Sequence, residues 1–238
     1  MKKIFFIVTF FLISSITFAQ ELPFCVGEEF TYDVMLLGFK IGTQIDQVIA
    51  KEIIGEEETY HIKSKIKSNP FFSKFYHLSE QIDTWVGTSS LLPVRVIKDI
   101  DRKKYHKCYG FSLNHASQKA TILSKHQNTT KTIDIFPNTL DSLSLIYYLR
   151  NQDLKVGDLY NLAILTRHGV EQIKVNIVKE EEVSTPSGKF MTLKVEQSGS
   201  DITDIIVWFT NDNTHIPVKI EVKTEAGRLK AYLRKKKG

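Results

Sequence analysis

Asp141, Ser144, Tyr147 and Arg150 recur at steps of three in a segment otherwise rich in Leu, Ile and Tyr. On a helix each would neighbour the next. Three residues fall short of a 3.6-residue turn, so the band winds partway round the helix and does not keep to one narrow face. A carboxylate, a hydroxyl, a phenol and a guanidinium in such a band can do two kinds of work. They can hydrogen-bond and ion-pair to a sheet and so pin the helix, or they can grip a polar head group or polymer. In either case polar groups on a helix built for burial need partners.

Other chemistries lack their spacing. There is no Gly-x-Ser-x-Gly elbow and no His-Glu-x-x-His helix, and Ser142 and Ser144 have Asp141 nearby but no histidine. His61, His77, His106, His115, His126, His168 and His215 are scattered, and Cys25 and Cys108 do not form a Cys-x-x-Cys pair. No zinc site and no cofactor are expected. The acidic runs Glu56–Glu58 and Glu180–Glu182 read as solvated turns, and no pair of carboxylates is nominated for glycosidase work. The pattern is that of a non-catalytic protein.

The chain opens Met1, Lys2, Lys3 and then runs apolar from Ile4 to Phe18, with Thr17, Phe18 and Ala19 as a small-x-small cleavage site. This reads as a signal peptide over residues 1–19, too short and wrongly flanked for a permanent span. An exported protein, in the periplasm or at the cell surface, is expected. No cysteine follows Ala19 directly, so no lipid attachment signal is seen. Export permits a disulfide, and a Cys25–Cys108 bond would tie the mature N-terminus to the strand near Tyr105–Phe111. The formal net charge is +5, of which Lys2 and Lys3 supply two and the tail Arg234–Lys237 much of the rest. No basic stripe interleaved with aromatics argues for nucleic acid.

Behind these residues stand the elements that must position them. Residues 139–151 are predicted as the one helix of more than two turns, with Asn138 or Thr139 as N-cap and Asp141 in the first turn. Leu140, Leu143, Ile146, Tyr147 and Leu149 form its apolar stripe. Burial of these five side chains gives on the order of 10 kcal/mol of gross stabilisation. Almost everything else alternates and turns, as in Phe30, Tyr32, Val34 and Leu36, which argues for antiparallel strands with one buried face. The cluster Pro70, Phe71, Phe72, Phe75 and Tyr76 reads as core packing, with a membrane-touching rim as its functional alternative.

The two parts of the chain echo each other. Gly27, Glu28 and Phe30 are matched by Gly157, Asp158 and Tyr160; Trp85 precedes Pro93 by eight residues, and Trp208 precedes Pro217 by nine. In each part the Trp closes a strand with its indole N–H seeking an acceptor, and the Pro opens the next strand, where its missing N–H does least harm. The expected architecture is mainly β: a single domain over 20–238, made of two similar curved antiparallel meanders, 27–136 and 157–234. They would form a half-barrel or open barrel around the central helix at about 139–151.

The order of Gly27-Glu-x-Phe30, Leu92-Pro93, the Asp141–Arg150 helix, Gly157-Asp158, Thr185-Pro186-x-Gly188 and Trp208 to Ile216-Pro217-Val218 resembles the exported family known as domain of unknown function 3108. That resemblance implies a β-rich periplasmic or cell-surface protein with no assigned reaction. Each Trp-to-Pro hairpin, clearest from Trp208 through Gly227, is also similar to the carrier proteins of lipoprotein localisation and their anti-sigma-regulator relatives. That likeness implies a curved sheet wrapped on helices over a cavity for acyl chains, a fold-level analogy. The expected function is binding of an apolar, lipid-like ligand or an envelope partner, with a structural or assembly role as the alternative and a hydrolase after that. Candidate contact residues are Asp141, Ser144, Tyr147, Arg150, Trp85, Trp208, Phe72 and Phe75.

Overall fold

The structure, a computed structural model, describes residues 22–238 apart from 76, 104, 200–203 and 225–226. The expected signal peptide and its cleavage site at Ala19 lie outside the described residues, as does Tyr76 of the aromatic cluster.

The first meander comprises β1 (Glu29–Leu36), β2 (Phe39–Ile54), β3 (Glu57–Ser68), a one-turn helix α1 (Pro70–Ser73), β4 (Leu78–Gly87), β5 (Pro93–Arg102) and β6 (Tyr105–Asn114). It continues into β7 (Lys119–Ser124) and β8 (Thr129–Asp134). A short strand β9 (Thr139–Leu140) then leads into helix α2 (Ser142–Arg150). The second meander comprises β10 (Leu159–Leu165), β11 (Val170–Thr185), β12 (Gly188–Ser198), β13 (Ile205–Thr210), β14 (Pro217–Thr224) and β15 (Gly227–Lys237). All fifteen strands belong to one open sheet, ordered β8-β7-β6-β5-β4-β3-β2-β1-β15-β14-β13-β12-β11-β10-β9. The two meanders meet edge to edge where β1 pairs antiparallel with β15. Every pairing is antiparallel except that of β9 with β10.

Alternating strand direction sorts the connections to two ends of the sheet. The upper end carries the β1–β2 turn, α1, and the β10–β11 turn; the lower end carries the β2–β3 turn, the β4–β5 connection, and residues 211–216. Helix α2 lies toward the lower end. Its Leu143 and Tyr147 pack with Phe24, Val48, Ile62, Val86 and Leu91, while Leu145 and Leu149 join the larger core of Phe30, Tyr32 and the second meander.

Four local expectations are corrected. Asp141 is itself the N-cap of α2, accepting from Leu143 N and forming a capping box with Ser144, because Thr139 and Leu140 are held in β9. Glu180–Glu182 lie within β11, not in a turn: the β11–β12 hairpin runs on to Thr185, where it pairs with Gly188. Likewise Glu57 and Glu58 begin β3. Cys25 and Cys108 are free. The Cys25 segment is bonded to β2 through Gly27 N and Val48 O, whereas Cys108 lies in β6, four strands away. That is roughly 19 Å along the sheet, beyond the reach of a disulfide.

The same contacts recur in the two meanders. Gly27 N donates to Val48 O at 2.8 Å, and Gly157 N donates to Ile177 O at 2.8 Å. Register slips follow Val48 in β2 and Ile177 in β11, and again after Trp85 in β4 and Trp208 in β13. Trp85 Nε1 donates to Glu52 Oε2 at 2.7 Å, and Trp208 Nε1 donates to Glu181 Oε1 at 2.8 Å. Thr59 and Thr192 hydroxyls donate to the backbone carbonyls of those same two glutamates. Each indole is also covered by a cation, Arg95 over Trp85 and Lys219 over Trp208. The acidic residues at 52 and 181 are therefore acceptors for buried indoles. Glu181→Ala should lower unfolding stability by about 2 kcal/mol, since it strands a buried N–H that now bonds to a charged group; urea unfolding against Glu180→Ala, an exposed neighbour, tests this.

Candidate functional site

Between the concave face of the sheet and α2 lies a cavity of about 920 Å³. Its floor is the upper side of α2, through Leu145, Ile146 and Leu149. Its walls reach the upper-end residues Arg102, Arg167, His168 and Lys223. Such a volume lies within the range of small-molecule sites.

The two meanders contribute unlike walls. Partner strands fix which residues correspond: Asp46 opposes Phe30 as Val175 opposes Tyr160, and Lys98 opposes Tyr109 as Val222 opposes Leu229. At both matched positions the first meander supplies a charged group and the second a valine, and all four residues line the cavity. The second wall continues with Val195, Val207, Ile220 and Ala231, whereas the first adds Gln44, Ser64, Glu80 and Arg102 among its isoleucines. The middle of the second wall is thus apolar, with Glu171, Gln197 and Lys223 among its polar members, whereas charge reaches the middle of the facing one.

The polar wall is partly self-satisfied. Glu80 is bridged by Lys98 at 3.1 Å and by Arg102 at 3.1 Å. Asp46 is buried and accepts only from neutral donors in range, with Gln44 Nε2 at 3.0 and 3.1 Å from its two oxygens. Burial pushes its carboxyl up from 3.8 to about 6, against the pull of the bonds from Ser64 and Gln44. Asp141 is raised for the same reason, despite bonds from Ser144, Leu143 and Thr84. Three buried polar atoms on the cavity wall have no partner among the described residues: Asp141 Oδ2, Arg102 Nη1 and Glu171 Oε2. Buried groups of this kind ordinarily find a partner.

Of the eight residues expected to make contacts, only Asp141 lines this cavity. The helical band is turned into the protein. Ser144 Oγ accepts from Asp141 N at 2.8 Å, and Thr84 Oγ1 donates to Asp141 Oδ1 at 3.1 Å, fixing the helix start to β4. Tyr147 packs edge-on against Phe24. Arg150 is fully buried, bidentate to Glu28 at 2.6 and 2.9 Å, and donates further to the carbonyls of Pro23 and Thr214. Trp85 and Trp208 are held by the glutamates described above. Phe72 packs on the main core, while Phe71 and Phe75 are exposed, which corrects the expectation that the whole cluster packs inward.

Sequence reasoning missed Asp46, Lys98 and Arg102. Their signal was present: each shares the inward parity of Val48, Val96 or Ile100 along its strand, so each is a polar residue in a buried register. Among the described residues no group of three or more His, Cys, Asp or Glu could hold a metal, and no helix is long and apolar enough to cross a membrane.

The family model "Protein of unknown function (DUF3108)" matches residues 31–234. The chain belongs to the DUF3108 family. No curated protein matches the sequence significantly. Among solved structures, the DUF3108 chain is similar to a β-barrel-like protein of the domain of unknown function DUF1849 from Brucella abortus. The TM-score is 0.58 and the identity 11%, over 88% of this chain and 96% of that one. It also matches a candidate lipoprotein from Parabacteroides distasonis, at TM-score 0.34 and 14% identity over 91% of this chain and 97% of that one. A third match is an exported-protein candidate with a YmcC-like fold from Bacteroides fragilis, at TM-score 0.33 and 13% identity over 91% and 98%. The first of these supports the barrel-like fold of this DUF3108 member.

Proposed function

We propose that this protein is an exported, non-catalytic binding protein of the cell envelope that holds an amphipathic, lipid-like molecule between its sheet and α2. The observation that carries this reading is the cavity of about 920 Å³ whose second-meander wall is apolar through Val175, Val195, Val207, Ile220 and Val222 and whose facing wall carries Asp46 and Lys98. An apolar chain gains by leaving water for the valine and isoleucine wall. A polar head gains partners from groups such as Arg102 Nη1 and Asp141 Oδ2, which lack them. The apolar stretch at residues 4–18, followed by Ala19, supports export.

The shared contacts of the two meanders support a further part of the reading, that 27–136 and 157–234 are copies of one unit joined by the 139–151 segment. On this view one copy kept valines at the positions where the other acquired Asp46 and Lys98.

The test is mass spectrometry of organic extracts from protein purified natively, followed by titration with a fluorescent long-chain fatty acid. Ala231→Phe fills the cavity with the side chain that Phe111 supplies at the matching position, and should weaken probe binding by at least about tenfold with little change in stability. An empty extract, no probe binding, and no difference in the variant would end the ligand reading.

One observation favours a catalytic alternative: Asp46, a cavity carboxyl raised to about 6, has the property of a general acid. Asp46→Asn separates the two. A binding protein keeps its ligand in this variant, whereas a hydrolase loses turnover.

A further inference from the structure

We infer that the upper rim, around the mouth of the cavity, docks on an anionic lipid surface. Four large apolar side chains project there almost bare: Leu37 is 77% exposed, Phe39 66%, Phe71 65% and Phe75 72%. They come from two connections that are tied together. Asn69 N donates to Ile41 O at 2.7 Å and Asn69 Nδ2 donates to Lys40 O at 3.1 Å, so α1 sits beside the β1–β2 turn.

The tips are presented by ordered backbone. Asn69 caps α1 through its side chain, accepting from Phe72 N at 2.9 Å, and Phe72 is anchored on the main core. With Phe72 turned inward, Phe71 and Phe75 stay exposed. Their rings meet at a tilt, 5.9 Å between centroids, and Phe71 meets Phe72 edge-on, yet both stay exposed. A patch of this kind marks a contact surface.

Its surroundings choose the partner. Lys67, Lys74 and Lys103 are exposed around the tips, with Lys40 and Arg228 beside them paired to Asp33 and Glu221. Lys103 Nζ reaches the carbonyl of Lys74, which brings the β5–β6 turn against α1. The acids in the same zone are engaged: Asp33 with Lys40 and Arg234, and Asp101 with His77. Apolar tips set in a cationic ring match the chemistry of an anionic bilayer, where rings enter the acyl boundary and ammonium groups meet phosphate. The β1–β2 turn, α1 and the β5–β6 turn all stand at the end of the sheet reached by the cavity residues Arg102 and Lys223. Docking there would turn the cavity toward the membrane.

Protein purified after export from the full chain should co-sediment with phosphatidylglycerol vesicles and far less with phosphatidylcholine vesicles, and salt should weaken the binding. Phe71→Ser with Phe75→Ser should reduce the vesicle affinity at least about tenfold, with unchanged thermal unfolding because both positions are exposed. Lys74→Glu with Lys103→Glu should remove the preference for anionic lipid. Wild-type protein that ignores both vesicle types, or variants that bind as the wild type does, would overturn the proposal. So would variants that change only the oligomeric state, since the rim would then be a protein interface. The outcome is separable from the ligand reading: a rim can bind vesicles while the cavity stays empty of probe, and the reverse.

Discussion

Arg150→Ala is expected to cost about 3–5 kcal/mol of unfolding stability, a large part of the 5–15 that a domain ordinarily has. Arg150 is fully buried and holds Glu28, itself buried, in two parallel hydrogen bonds of 2.6 and 2.9 Å. Its remaining donors serve Pro23 O at 2.7 Å and Thr214 O at 3.2 Å. The guanidinium also lies 5.2–5.6 Å from the ring centroids of Phe24, Phe30 and Tyr147. One side chain thus joins the segment before β1, the end of α2 and the 211–216 connection of the second meander. Removing it leaves a carboxylate buried without a counter-charge and two carbonyls without donors. The cost comes from those orphans, not from the net worth of the ion pair, which desolvation largely cancels. The double variant Arg150→Met with Glu28→Gln should therefore recover part of the loss, because no unpaired charge remains. Urea unfolding of the three proteins at pH 7 decides the matter. A loss below about 1 kcal/mol in Arg150→Ala would mean that Glu28 escapes to water.

How far the fold was legible depends on how locally each feature is encoded. Strand parity is local, so the alternation of Phe30, Tyr32 and Val34 located β1 and its buried face. The matched positions of Trp85 and Trp208 were also visible, as a repeat of types and spacing. Their acceptors were not. Glu52 and Glu181 reach the indoles across an intervening strand, and Glu181 sat in a run of acids that reads as a solvated turn. Arg150 and Glu28 are 122 residues apart, and nothing near either names the other. In sequence the helix band fits either a pin or a grip. Its hydrogen bonds now run to Thr84, Glu28, Pro23 and Thr214, all within the protein. Phe71, Phe72 and Phe75 look alike in sequence. They part company because the Asn69 cap and the anchoring of Phe72 set the direction of α1. The possible Cys25–Cys108 disulfide fails on strand order, which cysteine spacing does not reveal.

Asp46→Asn is expected to stabilise the protein by about 3 kcal/mol at pH 7.5, and by almost nothing below about pH 3. The sign follows from the direction of the shift. Folded Asp46 keeps its proton up to about pH 6, whereas the unfolded chain releases it near 3.8. The stability linked to this group is fully present below the unfolded value and is lost as the pH rises through the folded one. Above pH 6 the wild type holds a buried anion whose bonds come from the neutral Gln44 and Ser64. Asparagine removes that charge and can still accept from Gln44. Glu52, Glu181 and Glu221 are lowered, so their contributions are lost only as the pH falls below the ordinary carboxylate range, outside the 5–7.5 window. Asp141 is raised and acts in the same direction as Asp46, so the difference between wild type and variant, not the wild-type curve alone, isolates residue 46. Because Asp46 lines the cavity, its proton also decides whether that part of the wall is charged. The affinity for a long-chain apolar probe should rise in the wild type between pH 7.5 and pH 5, and should be high at both in Asp46→Asn. A variant that keeps the wild-type pH profile in both unfolding and probe binding would show that water reaches the carboxylate and that the cavity is wetter at that wall than its burial indicates.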